Sequence, residues 1–140
     1  MDLSKLPSPF YRGTIKAIIL DDKKRLLVGR GEETSDKWEI PGGGFEHDES
    51  LEECVKREIR EELGVDIARV EKVAFVYRGK SVHGWTVLRV AVPVQLKNYD
   101  FKFGVMTEAK FVTKEELMSL DFAADEGTIK DYVDLIWPKD

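Results

Sequence analysis

Residues 43–65 read GGFEHDESLEECVKREIREELGV, and the fold is decided by how the charges in this stretch are phased. Ser50 followed by Glu53 forms a capping box that starts a helix, and Gly64 supplies the left-handed residue that ends one. Stepping 100° per residue from Leu51 places Leu51, Cys54, Val55, Ile59 and Leu63 on one apolar arc. Glu58 falls at about 340° and Glu62 at about 20°, inside that arc, with Glu61 beside them at about 280°. Two carboxylates roughly 6 Å apart repel by about 3 kcal/mol at an effective dielectric near 20, before any desolvation cost.

A glutamate-rich helix face is ordinarily solvated surface. Here Glu53, Lys56 and Arg60 already supply the solvent side, so the inward carboxylates call for a cation. Three oxygen donors with no histidine or thiolate among them suit a hard divalent ion, Mg²⁺ or Mn²⁺, better than zinc. Upstream, Pro41 fixes φ and Gly42, Gly43 and Gly44 remove every Cβ, which lets backbone approach an anion or metal closely.

The order Gly43, five residues, Glu49, seven residues, Arg57-Glu58-Ile59, one residue, Glu61-Glu62, one residue, Gly64-Val65 resembles the signature of the Nudix hydrolases at every defined position. The approach Trp38-Glu39-Ile40-Pro41-Gly42-Gly43 is similar to that family's as well. The resemblance implies an α/β/α sandwich with a mixed β-sheet. It also implies that Glu58, Glu61 and Glu62 are the metal-binding and catalytic carboxylates, with the Gly42 carbonyl as an additional ligand and Glu46 as either a further ligand or a carboxylate that supports the ligands from behind. Arg57 would pair with Glu49 and brace the loop against the helix, while Gly43, Glu49 and Gly64 would be the structural positions of the box. For the general base the resemblance leaves two choices open: Glu58, taken first, and Glu108 in a later loop.

The implied reaction is hydrolysis of a phosphoanhydride in a nucleoside diphosphate linked to another group. Among Nudix subfamilies a proline or a tyrosine a short way past the box marks particular substrates, and Lys80-Ser81-Val82-His83 contains neither. The chain therefore looks most like the nucleoside triphosphate pyrophosphohydrolases. An ADP-ribose or nucleotide-sugar pyrophosphatase and a non-catalytic nucleotide-binding module are the alternatives. Arg30 is a candidate phosphate contact; Phe45, Tyr77 and Trp85 are candidate base-stacking residues, against the alternative that strand aromatics are core.

Composition agrees with a compact enzyme. The 140 residues are 42% apolar and 35% charged, with a net charge of −5, and they are expected to form one domain with residues 1–10 as an N-terminal arm. No basic stripe offsets the negative charge, which argues against a nucleic-acid backbone as partner and for a small nucleotide. The single cysteine, Cys54, excludes an internal disulfide and reads as a small buried hydrophobe. The start is polar and proline-broken and no apolar run approaches the length of a membrane span, so the expectation is a cytoplasmic protein with no membrane partner, monomeric or homodimeric.

Strands are expected at Thr14–Leu20 and Arg25–Gly29, paired as a hairpin across Asp21–Lys24. Others are expected at Trp38–Ile40, Arg69–Tyr77, Trp85–Leu96 and Glu108–Val112, with Pro93 marking an edge or a bulge. Thr113 and Glu116 form a second capping box, and Thr128–Trp137 carries Ile129, Tyr132, Val133 and Ile136 at helical spacing.

Overall fold

The computed structural model describes residues 5, 7, 9–81, 83–123 and 126–138, the last span without the side chains of residues 126 and 127. The expected N-terminal arm lies largely outside the described residues, and Val82 of the expected substrate-selecting loop lies outside them too. In chain order the elements are β1 (Arg12–Ile18), β2 (Leu26–Arg30), β3 (Gly42–Gly44), α1 (Leu51–Leu63), β4 (Ile67–Val70), β5 (Phe75–Lys80), β6 (Thr86–Leu96), β7 (Glu108–Val112), α2 (Lys114–Ser119) and α3 (Val133–Ile136). Short 3₁₀ turns occupy Glu32–Thr34 and Glu126–Tyr132.

The main sheet is mixed. β1 runs parallel to β6 and antiparallel to β3, while β4 and β5 both lie antiparallel along the far edge of β6. One face carries α1 over a core of Ile15, Ala17, Val55, Ile59, Leu63, Val92 and Val94. The other carries α2 and the C-terminal turns over Ile18, Phe75, Tyr77, Ala91, Leu117, Ile129 and Ile136. Alternation along β1 sends odd-numbered residues to the first core and even-numbered ones to the second face, and the result is the expected α/β/α sandwich.

Helix α1 begins and ends where its caps dictate. The Glu53 amide donates to Ser50 Oγ at 3.1 Å, the Ser50 amide donates to Glu53 Oε1 at 3.0 Å, and Gly64 closes the helix at φ 67°. The Thr113–Glu116 box opens α2 in the same way.

Four strand and helix expectations change. The hairpin is reduced to one bridge, Leu20 to Leu26, because both edges of β1 are already taken by β3 and β6; β2 therefore pairs with β7 in a separate two-stranded ribbon. Trp38–Ile40 is not a strand but two isolated bridges, Glu39 to Gly29 and Trp38 to Phe122, and the strand that reaches β1 is the glycine triplet itself. The long strand expected over Arg69–Tyr77 is split into β4 and β5. A residue's N–H and C=O face the same edge of a strand, so Pro93 offers that edge only its carbonyl, which accepts from the Glu71 amide at 2.9 Å. The proline thus lies inside a central strand, at the gap between its two partners. The terminal helix breaks into a 3₁₀ turn and a single α-turn at Tyr132, whose ring stacks on Phe75 with centroids 5.1 Å apart.

Candidate active site

The glycine triplet of β3 is where the site is assembled. Gly42 has φ 149°, and a Cβ there would run into the Ile15 carbonyl of the neighbouring strand, so no other residue fits. A Cβ on Gly43 would lie 2.6 Å from the carboxylate of Glu58. Removing it lets α1 approach close enough for Glu58 to reach past the edge of the sheet.

Glu62 comes in one turn further on. It is 5% exposed, and its carboxylate accepts the Gly42 amide at 2.8 Å. Burial first, and then the neighbouring charge of Glu39, pushes its pKa well above the usual carboxylate range, against the pull of Lys16 and the Gly42 amide. Burial also raises Glu58, partly offset by its hydrogen bond from Arg57. Glu61 is exposed at the rim.

Arg57 organises the approach loop. Its Nε donates to Glu49 Oε2 at 2.6 Å and its NH2 to Glu49 Oε1 at 2.9 Å, a two-pronged pairing, and NH2 also reaches the Gly44 carbonyl at 3.0 Å. Through NH1 it donates to Glu58 Oε1 at 2.8 Å and Glu61 Oε2 at 3.2 Å. The hydrogen bond from Arg57 comes first among the causes that hold the Glu49 carboxyl down at about 2. As placed, Glu58 and Glu61 are engaged by this guanidinium. Among the described residues no three His, Cys, Asp or Glu side chains are gathered as a metal-holding group. Glu46 stands further out, with its carboxylate 3.7 Å from Arg57 Nε and its amide bonded to Glu49 Oε1.

Glu58, Glu61 and Glu62 form one wall of a cavity of about 350 Å³, with Gly42, Gly43 and Gly44 beside them. That volume lies at the lower end of those that hold a small-molecule ligand. The floor is the second face of the sheet, where Arg12, Thr14 and Lys16 of β1 meet Val87 and Arg89 of β6. Sequence reasoning missed these floor residues and also Glu39 on the wall. Their signal in the sequence is the charge itself: Lys16 interrupts the apolar run of β1 and Arg89 that of β6, and a charge within a buried strand marks a built site.

The other candidates fall outside this cavity's lining. Arg30 and Glu108 face one another at the end of the β2–β7 ribbon and form a salt bridge, NH2 to Oε1 at 2.8 Å. The Arg30 guanidinium also lies 4.5 Å from the Trp38 ring. Phe45 packs against the α1-side core. Tyr77 is 2% exposed in the opposite core, among Phe75 and Tyr132. Trp85 sits at the mouth, with its ring 5.6 Å from Phe10 and 5.9 Å from the guanidinium of the lining residue Arg12. Cys54 is buried; burial foremost pushes its thiol up to about 12, which removes it as a nucleophile.

An α/β/α sandwich whose capped helix delivers a row of carboxylates to the wall of a strand-floored cavity defines a class, and comparison with known proteins agrees. A family profile described as NUDIX domain matches residues 10–132, and the chain belongs to the Nudix family. An RNA pyrophosphohydrolase from Saccharophagus degradans is 36% identical over 86 residues, covering 61% of this chain and 46% of that protein. A CTP pyrophosphohydrolase from Escherichia coli K12 is 39% identical over 80 residues, covering 52% and 59%. The chain spans about half the length of the curated relatives it matches. The solved structure of a MutT protein from Methanosarcina mazei Go1 superposes with a TM-score of 0.79 over 96% of this chain and all of that one; at 23% identity this bears on the fold alone. No described helix is long and apolar enough to cross a membrane.

Proposed function

We propose that the protein is a metal-dependent pyrophosphohydrolase that cleaves a phosphoanhydride bond in a nucleoside diphosphate linked to another group, with nucleoside triphosphates as the preferred class. The observation that carries this reading is that Glu62, buried, and Glu58, half-buried beside it on α1, open into the same cavity as Arg12, Lys16 and Arg89. A wall of carboxylates facing a cationic floor suits a substrate that is itself polyanionic, and the names of the RNA and CTP pyrophosphohydrolase relatives support the same bond type.

The donor chemistry fits Mg²⁺, or Mn²⁺ in its place. Glu58, Glu61 and Glu62, with the Gly42 carbonyl and Glu46 as further oxygen donors, would hold it, and all are hard ligands. When bound, such an ion neutralises phosphate oxygens and acidifies an attacking water. The chain's own groups do the rest. A carboxylate oxygen of Glu58 accepts the proton of the water that attacks phosphorus, while the bridging oxygen leaves with the departing phosphate. The placement of Glu108 in an ion pair with Arg30, outside the cavity lining, supports Glu58 as the base. Arg57 and Glu49 keep the glycine loop and the helix in register while this happens.

The test is a hydrolysis panel with Mg²⁺: the nucleoside triphosphates, a 5′-triphosphorylated oligoribonucleotide, nucleotide sugars, ADP-ribose and dinucleoside polyphosphates. At least one triphosphate should be cleaved to a monophosphate and diphosphate. Glu58→Gln and Glu61→Gln should each slow the reaction tenfold or more, about 1.4 kcal/mol of barrier. Full activity in EDTA would overturn the metal assignment. Nucleotide binding without hydrolysis of any compound would replace the enzyme by a binding module.

A further inference from the structure

Two of the three carboxylates on the helical wall, Glu61 and Glu62, stand in the last turn of α1, which ends at Leu63. The last carbonyls of a helix have no partner within it, and a helix end left to itself frays. A carboxylate that must meet a metal ion or a substrate to within about half an ångström needs a firmer support. Residues 102–106, between β6 and β7, supply it. The Lys102 amide donates to the Leu63 carbonyl at 2.8 Å and the Gly104 amide to the Glu62 carbonyl at 3.2 Å.

The fit is close on both sides of this segment. A Cβ on Gly104 would run into the Glu61 carbonyl, and one on Gly64 into the Lys102 carbonyl, so backbone packs directly on backbone at the turn that carries the carboxylates. On its other side the segment meets the end of β2. The Thr107 amide donates to the Arg30 carbonyl at 2.9 Å, and a Cβ on Gly31 would lie 2.7 Å from the Val105 carbonyl. Gly31 in turn starts the 3₁₀ turn that carries Glu33, with its amide donating to Thr34 Oγ1 at 3.2 Å. Gly29 leaves room for the thioether of Met106, which is 2% exposed in the α1-side core and anchors the segment. Residues 102–106 thus join Glu61 and Glu62 to Glu33, and Val105 lines the cavity with them.

We propose that Gly104 and Gly31 are positioning residues for the hydrolytic site: through them residues 102–106 clasp α1 on one side and the Glu32–Thr34 turn on the other. The clasp sets the spacing between the carboxylate wall and the rim formed by Glu33 and Val105. That these carboxylates hold a metal rests on the pyrophosphohydrolase reading; the clasp itself does not. The two glycines divide the work. Displacement at Gly104 frees the turn of Glu61 and Glu62, whereas displacement at Gly31 moves Glu33 and Val105, which line the substrate's space away from the box.

Amide hydrogen exchange on the metal-free full chain reads the clasp; Mn²⁺ titration and steady-state kinetics with the best-cleaved triphosphate read its consequence. In Gly104→Ala the methyl meets backbone, so the segment must leave the helix. The amides of residues 61–64 should then exchange about tenfold faster or more, while those of residues 54–57 keep the wild-type rate. Mn²⁺ affinity and kcat should each fall about tenfold. Gly31→Ala should instead speed exchange at the Thr107 amide and raise KM severalfold with kcat and Mn²⁺ affinity kept, a split that a general loss of stability does not produce. Wild-type exchange at residues 61–64 in folded Gly104→Ala, or kcat and Mn²⁺ affinity that fall only with the folded fraction, would overturn the clasp. If Gly104→Ala does not fold, Gly31→Ala decides, and unchanged Thr107 exchange in that variant would overturn it. Wild-type protein that binds no Mn²⁺ and cleaves nothing would overturn the pyrophosphohydrolase reading alone, since the exchange rates still decide the clasp.

Discussion

Arg57 grips Glu49 with two nitrogens, at 2.6 and 2.9 Å, and spends its third on Glu58 and Glu61. One planar group therefore ties the glycine loop, the helix and the carboxylate wall together. Arg57→Lys keeps the charge but cannot fork, so the loop should lose its register with α1. Activity should fall roughly 10–100-fold, 1.4–2.7 kcal/mol in barrier. Steady-state kinetics beside a thermal melt checks this; an unchanged kcat/KM would show that the fork is dispensable.

Gly43→Ala probes the same wall from the other side. The added methyl would sit 2.6 Å from the Glu58 carboxylate, which must turn away, while the backbone at Gly43 has an ordinary φ that alanine accepts. The expected outcome is an enzyme that melts within a few degrees of wild type yet loses at least tenfold in activity. Equal losses of stability and activity would mean that the strand, not the carboxylate, had been disturbed.

How far the sequence revealed this site depended on whether neighbours along the chain or across the sheet decided each position. Ser50, Glu53 and Gly64 act within one helix, and the phase of Glu58 and Glu62 is set by the same 3.6-residue period, so all were legible. The pairing of β2 was not, because it depends on which edges of β1 remain open after β3 and β6 have docked. Lys16 and Arg89 were missed for a similar reason. Each reads alone as a stray charge in an apolar strand, and only the parallel register of β1 with β6 makes them neighbours.

The turn that separates β1 from β2 gives a pH-dependent prediction. Asp21 Oδ1 accepts the amides of Lys23 at 3.0 Å and Arg25 at 2.8 Å, and Oδ2 accepts Arg25 Nε at 2.8 Å. Burial raises its pKa, but the hydrogen bonds from Arg25 and Lys23 outweigh that and the net shift is downward from 3.8. A carboxyl whose folded pKa is depressed stabilises the fold above its unfolded value and loses that contribution as pH falls through the folded one. Asp21→Ala should therefore cost about 1–2 kcal/mol at pH 7, where the amides lose their acceptor. Urea denaturation at pH 7 and in steps below 3.8 should show the gap between variant and wild type closing with acid. A gap independent of pH would show that the carboxylate charge contributes nothing.

Tyr77 and Trp85 separate core from recognition. Both are aromatics of the β5–β6 hairpin region, but Tyr77 is packed among Phe75 and Tyr132 while Trp85 stands at the cavity mouth beside Arg12 and Phe10. Tyr77→Ala should cost roughly 3–5 kcal/mol of folding stability, the usual penalty for emptying a large buried ring site. Its residual activity should track the folded fraction. Trp85→Ala removes a half-exposed ring that a nucleobase would stack on, with stacking worth about 1–3 kcal/mol per base. KM for the preferred nucleotide should then rise about fivefold or more with kcat and the melting temperature little changed, the pattern of a contact equally strong in ground and transition states. A Trp85→Ala protein that melts early but keeps its KM would place this ring in the scaffold and the base elsewhere along the rim.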